Sequence, residues 1–305
     1  MNSPKGHAVV CYGEVLWDIL PSGEMAGGAP MNVAFHLKKL GTNPALITKT
    51  GSDAYGRRLK ELLATAGITT SYFTSDSTFP TGLVYANAND QNEVVYDIVH
   101  PAAWDFISWS EELSNLVSRS SYFVFGSLAS RSRASADTLA RLLAVANTKV
   151  CDINLRAPHF KPADVEFLLS KADILKMNVN ELELVTSWYE RFQSPERSIH
   201  LLHEKFDIDT IIITKGADGS MVSHAGNTWQ HSGYPVTVAD TIGSGDSFLA
   251  GFLHNMLNGA PVNESLEFAT ALGALIATKT GACPDYNISE IFTLINPVHQ
   301  DLPTI

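Results

Sequence analysis

Asp240-Thr241-Ile242-Gly243-Ser244-Gly245-Asp246-Ser247-Phe248 is the stretch of this sequence from which the fold can be interpreted. It follows a strand-like run at 234–238, and after it apolar residues recur at the spacing of a helix. The two glycines therefore mark a junction at which a strand is predicted to end and a helix to begin.

A glycine turn at the start of a helix is typical of an anion site. Free backbone N–H groups there lie at the positive end of the helix macrodipole, and Gly243 and Gly245 leave room for a phosphate. Asp246 would repel a phosphate unless it takes a proton from a neighbouring group, so we interpret it as a general base. The alternative is that Asp246 is an N-terminal helix charge and Asp240 a turn residue.

Composition predicts one large globular domain over residues 1–305. The chain is 45% hydrophobic and 17% charged, which allows a sizeable core. The net charge of -11 argues against binding to nucleic acid or to an anionic membrane. The N-terminus lacks the apolar stretch of a signal peptide, and Cys11, Cys151 and Cys283 are widely spaced. We therefore expect a cytoplasmic protein with free thiols.

Alternation of short apolar runs with helical patterns predicts an α/β fold with a mostly parallel sheet. The strand-like runs are 8–12, 45–48, 122–125, 150–153, 174–177 and 211–214. Two helical patterns, 31–40 and 55–66, stop at Gly41 and Gly67, which suit C-terminal caps.

Residues 71–99 interrupt this alternation. Strand-like stretches at 82–86 and 93–99 flank a polar turn, which predicts a β-hairpin inserted into the α/β domain. Such a hairpin could close over a substrate as a lid, or it could be merely structural.

Polar side chains follow several of the predicted strands. Asp18 comes soon after the first strand, near the edge where open α/β sheets bind ligands, and its carboxylate can accept two hydroxyl hydrogen bonds. Gly28 and Asn32 open the next helix, where the amide of Asn32 can meet hydroxyl groups. Arg156 follows a later strand and could counter phosphate charge. Each of these residues taken alone is more often structural.

Three further clusters are weaker. Asn178 and Glu181 supply the hard oxygens that Mg²⁺ prefers, although a helix-capping pair is equally consistent with their spacing. Thr214 and Gly216 close a strand in a glycine turn, which is either a hairpin or a second phosphate contact. Gly281 follows an apolar helix and is a candidate for the edge of a base pocket.

Taken in order, these clusters are more specific than any one of them. The chain resembles the ribokinase-like (PfkB) family of carbohydrate kinases, most closely its fructokinases, from Gly13 to about Gly281. The sharpest matches are residues 240–246, Asn178-Val179-Asn180-Glu181 and Gly27-Gly28-Ala29-Pro30-Met31-Asn32-Val33-Ala34. The resemblance implies a three-layer α/β/α fold, with the 71–99 hairpin as a small β lid that also mediates dimerisation in many members.

The resemblance also implies roles for the site residues. Asp246 would deprotonate a primary hydroxyl of the sugar, and Gly243, Ser244 and Gly245 would form the anion hole for the transferred phosphoryl group. Asp18, Gly28 and Asn32 would hold the sugar, and Arg156 would lie near both sugar and phosphate.

The remaining implied roles concern cofactors. Thr214 and Gly216 would flank the phosphates of ATP, and Gly281 would lie at the edge of the pocket for its adenine base. Asn178 and Glu181 would position Mg²⁺ through water. A monovalent cation such as K⁺ lies near the position of Asp240 in some relatives, and its presence here is left open.

The implied activity is ATP-dependent phosphorylation of fructose at its 6-hydroxyl. His159 and Phe160 stand where fructokinases often carry a Trp, so ribose, a keto-deoxy sugar acid or a nucleoside remain alternative substrates. A non-catalytic sugar-binding protein on the same scaffold is an alternative of another class. A P-loop nucleoside triphosphatase (NTPase) fold is excluded because no Gly-x-x-x-x-Gly-Lys-Ser/Thr run is present. Phe248 at the last position of a Gly-x-Gly-x-x-Gly pattern weakens a dinucleotide-binding interpretation.

Overall fold

The computed structural model describes residues 6–21, 23–88 and 94–296. Within them the strands are β1 (Val9–Tyr12), β2 (Leu16–Leu20), β3 (Gly23–Gly27), β4 (Pro44–Gly51), β5 (Phe73–Asp76), β6 (Gly82–Ala88), β7 (Val94–Ile98), β8 (Tyr122–Gly126), β9 (Thr148–Asp152), β10 (Ile174–Asn178), β11 (Thr210–Thr214), β12 (Ser220–His224) and β13 (Asn227–His231).

The helices alternate with these strands along most of the chain. They are α1 (Ala29–Lys39), α2 (Ala54–Thr65), α3 (Glu111–Ser118), α4 (Arg133–Leu143), α5 (Pro162–Leu169), α6 (Val179–Ser187), α7 (Pro195–Phe206), α8 (Ser244–Leu257), α9 (Val262–Ala277) and α10 (Ile288–Ile295). The predicted stops of α1 and α2 at Gly41 and Gly67 are confirmed to within two residues. In the described parts of the chain, none of these helices combines the length and apolar character needed to cross a membrane.

A nine-stranded central sheet organises the fold, in the order β13-β12-β11-β10-β9-β8-β1-β4-β5. The strands from β5 to β11 in this order are parallel, and β12 and β13 add an antiparallel edge. The predicted mostly parallel sheet is therefore confirmed. Because the carboxyl ends of the parallel strands lie along one edge, the polar residues that follow them are brought together.

Helices cover both faces of this sheet. Successive side chains of a strand point to opposite faces, and on β1 Val9 and Cys11 pack with α1, α2, α8 and α9. Val10 and Tyr12 of the same strand pack with the helices from α3 to α7. The predicted three-layer α/β/α arrangement is therefore confirmed. The three cysteines are free, and Cys11 and Cys151 are buried in these cores.

A second, four-stranded sheet has the order β3-β2-β6-β7. The predicted hairpin strands correspond to β6 and β7, and most of its polar turn lies outside the described residues. The sequence pattern did not predict β2 and β3, which complete this small sheet. β5 falls within 71–99 but belongs to the edge of the central sheet.

The predicted strand at 234–238 is wrong. This segment is irregular, and Val238 is 56% exposed. Pro235 lacks an N–H to donate to a neighbouring strand. The chain instead crosses to α9, where the N–H of Ala239 donates to the carbonyl of Ala277 at 2.8 Å. The glycine turn therefore follows an irregular segment, although α8 begins at Ser244 as the sequence predicted.

Candidate active site

A cavity of about 990 Å³ opens where the parallel strands end, facing the small sheet. A volume of this order holds a small ligand of several rings. The structure brings most of the predicted site residues to its wall: Asp18, Gly28, Asn32, Arg156, Asn178, Glu181, Thr214, Gly216, Gly243, Ser244, Gly245 and Asp246.

Asp246 lies in the first turn of α8 and lines the cavity. Its Oδ2 accepts a hydrogen bond from Nδ2 of Asn32 on α1 at 2.7 Å. Burial, followed by the charge of Asp152, raises the pKa of Asp246 to about 6, while Lys176 and the Asn32 hydrogen bond act in the opposite direction. Among the described residues it forms no ion pair, so this carboxylate is available to take a proton near neutral pH.

The start of α8, where the sequence predicts an anion hole, lines the cavity. Gly243 has a φ of 78°, in the left-handed region that favours glycine. A Cβ at this position would lie 2.6 Å from Cα of Ala282, so the approaching backbone also excludes a side chain. No side chain caps the helix within the described structure. The N–H of Ser244 donates to the carbonyl of Thr241 at 3.3 Å, which leaves the N–H groups of Gly245 and Asp246 to meet an anion.

Asp18 lies on β2 rather than in the loop after β1, so the small sheet presents it to the cavity. Gly27 leaves space for it, since a Cβ there would lie 2.5 Å from Oδ2 of Asp18. Burial raises the pKa of Asp18 to about 6, and the charge of Arg156 lowers it. Arg156 is exposed at the same end of the cavity. The pair can meet a polar ligand with both acceptors and donors.

Asn32 and Gly28 line the cavity and also have structural roles. The amide of Asn32, expected to meet sugar hydroxyls, orients Asp246 in this structure. Gly28 is the N-cap residue of α1 with a φ of 115°, and a Cβ there would lie 2.5 Å from the carbonyl oxygen of Glu14. Both residues therefore fix the position of α1 against the site.

Glu14 is a site residue that the sequence analysis missed. It lines the cavity, yet its side chain is almost wholly buried. Its Oε1 accepts the N–H of Ala29 at 3.2 Å, and its Oε2 has no hydrogen-bond partner among the described residues. Burial raises its pKa to about 7. The sequence signal that could have identified Glu14 is its acidic side chain two residues after the buried strand β1.

Lys176 and Asp152 form a buried ion pair that was also missed. Nζ of Lys176 lies 2.9 and 3.0 Å from the two oxygens of Asp152. These side chains are only 8% and 5% exposed. They are register partners on β10 and β9. Opposite charges at matching positions of neighbouring strands could have revealed the pair.

Asn178 and Glu181 form the capping box that was the alternative to a metal role. Oδ1 of Asn178 accepts the N–H of Glu181 at 2.9 Å, and Oε2 of Glu181 accepts the N–H of Asn178 at 2.8 Å. Oε1 of Glu181 accepts the N–H of Leu155. Each oxygen keeps a lone pair that can meet a hydrated ion. In the described part of the chain no three His, Cys, Asp or Glu side chains form a metal cluster.

The other end of the cavity is more apolar. Thr214 and Gly216 line it, and their turn also joins β11 to β12 as a hairpin. The apolar wall comes from the irregular segment and from α9: Tyr234, Pro235, Val236, Val238, Ala274 and Ala277. This surface suits a flat ring better than a polyol.

Gly281 and Asp240 do not line the cavity. The N–H groups of Gly281 and Ile242 donate to the two carboxylate oxygens of Asp240, each at 3.0 Å. A Cβ at Gly281 would collide with Met25 of β3. Asp240 therefore ties the loop after α9 to the glycine turn. A cation at Asp240 and a base contact at Gly281 stay predictions.

The chain is similar to known proteins both in sequence and in fold. The sequence model of the pfkB family of carbohydrate kinases matches residues 22–288. A fructokinase from Escherichia coli is 28% identical over 88% of this chain and 93% of its own, and probable fructokinase-7 from Arabidopsis thaliana is 26% identical over 90% and 88%. The crystal structure of a fructokinase from Xylella fastidiosa with bound ATP superposes with a TM-score of 0.84 at 23% identity, over 95% of this chain and 99% of that one. Because only 23% of the residues are identical, this superposition shows that the two proteins share a fold.

Proposed function

Because the chain belongs to the pfkB family of carbohydrate kinases, we propose that it transfers the γ-phosphoryl group of ATP to the 6-hydroxyl of D-fructose. The observation that carries the proposal is the carboxylate of Asp246, free of ion pairs among the described residues, beside an uncapped helix start on the wall of a large cavity. The names of the curated relatives support fructose as the acceptor.

The proposed chemistry balances as a direct transfer. The hydroxyl proton of the sugar moves to Asp246, and the sugar oxygen forms a bond to the γ-phosphorus. The bond between that phosphorus and its bridging oxygen breaks, and the electron pair stays on ADP. The free N–H groups at the start of α8 would stabilise the charge on the transferring group. Asn32 holds Asp246 in place for this step.

The two ends of the cavity support one orientation of the substrates, with the sugar at the small-sheet end and the nucleotide at the opposite end. The small-sheet end carries Asp18 and Arg156, which suit sugar hydroxyls, while the apolar end suits the base of a nucleotide. Glu14, Asp18 and Asp246 place three carboxyl groups near the sugar end.

Mg²⁺ fits the residues at the floor of the cavity. Mg²⁺ usually keeps several waters and takes substrate phosphates as ligands, so the lone pairs left on Asn178 and Glu181 would hold it through water. When bound, the ion neutralises charge on the phosphates. For K⁺ beside Asp240, the test is whether activity depends on K⁺ at constant ionic strength.

We also propose that the small sheet closes over the sugar and serves as a homodimer interface. Tyr85 on β6 is 39% exposed and is not among the residues that line the cavity, so it leaves aromatic surface for a second copy. Light scattering of the wild type and of Tyr85→Glu tests the dimer. A monomeric wild-type protein would remove the interface proposal.

The decisive experiment for the substrate is ADP release with ATP and a panel of fructose, ribose, a keto-deoxy sugar acid and adenosine. We expect fructose to give the highest kcat/KM. A higher value for another acceptor would replace fructose and leave the kinase chemistry intact. A protein that binds sugar but releases no ADP with any acceptor would support the non-catalytic alternative.

A further inference from the structure

The backbone conformation at Gly245 does not require a glycine. Its φ is not in the left-handed region, and it lies in the first turn of α8, where any residue is allowed. A Cβ built there would meet one side chain within 4 Å, Nζ of Lys176 at 3.0 Å and its Cε at 3.7 Å. The ammonium group of Lys176 therefore occupies the space that a side chain at 245 would take.

Lys176 holds its ammonium group under the start of α8. Both carboxylate oxygens of Asp152 accept from Nζ, at 2.9 and 3.0 Å, and no other acceptor among the described residues bonds to it, which leaves an N–H free. The lysine also lines the cavity beside Gly245 and Asp246. A buried cation with one donor left, next to an uncapped helix start, is suited to an anion that arrives from the cavity.

We propose that Lys176 is a catalytic residue that donates its remaining N–H to the transferring phosphoryl group, and that Gly245 is glycine to make room for it. The inference rests on the proposed function. The sugar oxygen bonds to the γ-phosphorus as the bond to the bridging oxygen breaks, the electron pair stays on ADP and the proton goes to Asp246. Lys176 keeps its three protons throughout and stabilises the charge on the phosphoryl oxygens.

The first test is Lys176→Met, which removes the cation but keeps the apolar stem. At pH 8, kcat should fall about 10²-fold while the KM for the sugar stays within about threefold, because a donor to the transition state is lost. The matched control is Lys149→Met. Lys149 pairs with Asp173 beside the opposite ends of the same two strands, and its kcat should not change.

A second variant separates charge from folding. Lys176→Met leaves Asp152 buried and unpaired, which destabilises a fold. Adding Asp152→Asn removes that charge, so thermal stability should recover while kcat stays low. Recovery of kcat together with stability would show that the pair is only structural, and would overturn the proposal.

A third comparison tests the role of Gly245. Gly245→Ala should lower kcat about tenfold or more in the wild type by displacing Nζ of Lys176. In the Lys176→Met background the added methyl meets no ammonium group, so it should change kcat less than about threefold. An equal loss in both backgrounds would mean that position 245 serves the phosphate directly, against the proposal.

Asp246→Asn, assayed in parallel, distinguishes failure of the proposed kinase function from failure of the role of Lys176 alone. If Asp246→Asn keeps the wild-type rate, the proposed function itself fails. If Asp246→Asn is inactive while Lys176→Met is fully active, only the role of Lys176 fails.

Discussion

Burial of Glu14 predicts that Glu14→Gln stabilises the protein at alkaline pH. Burial raises the pKa of Glu14 to about 7 from an ordinary 4.5. A difference of one pH unit corresponds to about 1.4 kcal/mol, so the ionised group costs the folded state about 3 kcal/mol. Because the side chain is only 3% exposed, solvent screens little of this cost.

The sign of this effect sets its pH window. Below pH 4.5 the carboxyl group is protonated in both the folded and the unfolded state, and it costs nothing. Between about 4.5 and 7 the unfolded state ionises first, so stability falls as pH rises. The cost is complete above 7. Glutamine keeps an oxygen for the N–H of Ala29 and carries no charge.

The assay is urea unfolding of the wild type and of Glu14→Gln at pH 5 and pH 8. We expect the variant to be more stable by about 3 kcal/mol at pH 8 and by less than about 1 kcal/mol at pH 5. The matched control, Glu61→Gln on the exposed face of α2, should stay within about 0.5 kcal/mol at both pH values. A difference that does not change with pH, or a less stable Glu14→Gln at pH 8, would refute the reasoning.

Three other predictions concern catalysis and packing. Asp18→Ala should raise the KM of the sugar by about 10²-fold through loss of charge-assisted hydrogen bonds, and a collapse of ATP affinity instead would reverse the placement of the two pockets. Since the pKa values of Asp246 and Asp18 are raised to about 6, kcat/KM should fall with decreasing pH below about 6 and level off above it, and Asp18→Asn should make the fall less steep. Phe252→Ala in the wholly buried face of α8 should cost about 4 kcal/mol of unfolding free energy, measured by urea unfolding at pH 7, and a cost below 1 kcal/mol would contradict the packing described.

Much of the fold could be predicted because its signals are local. Short apolar runs fixed the parallel strands, and the glycines at 41 and 67 marked the ends of α1 and α2. The strand predicted at 234–238 failed because β-branched residues indicate strand only where a partner strand is available. At this position the chain bonds to α9 instead.

The candidate site was predictable where a residue follows a strand and faces the cavity, as Arg156 and Gly216 do. Asp246 was predictable from the glycine turn at the start of α8. Glu14 and Lys176 were missed because their importance arises from burial and from partners distant in sequence. Lys176 pairs with a residue 24 positions away, and its contact with Gly245 depends on how α8 packs over β10. The β2–β3 part of the small sheet was missed for a similar reason, since β2 pairs with β6 far along the chain.

The most direct measurement is the rate of ADP release by Asp246→Asn with ATP and the best acceptor of the sugar panel. Loss of a general base predicts a fall in kcat of about 10³-fold, with sugar affinity within about threefold of wild type by calorimetry. A variant that turns over at close to the wild-type rate would contradict the assignment of Asp246 as the group that activates the sugar hydroxyl.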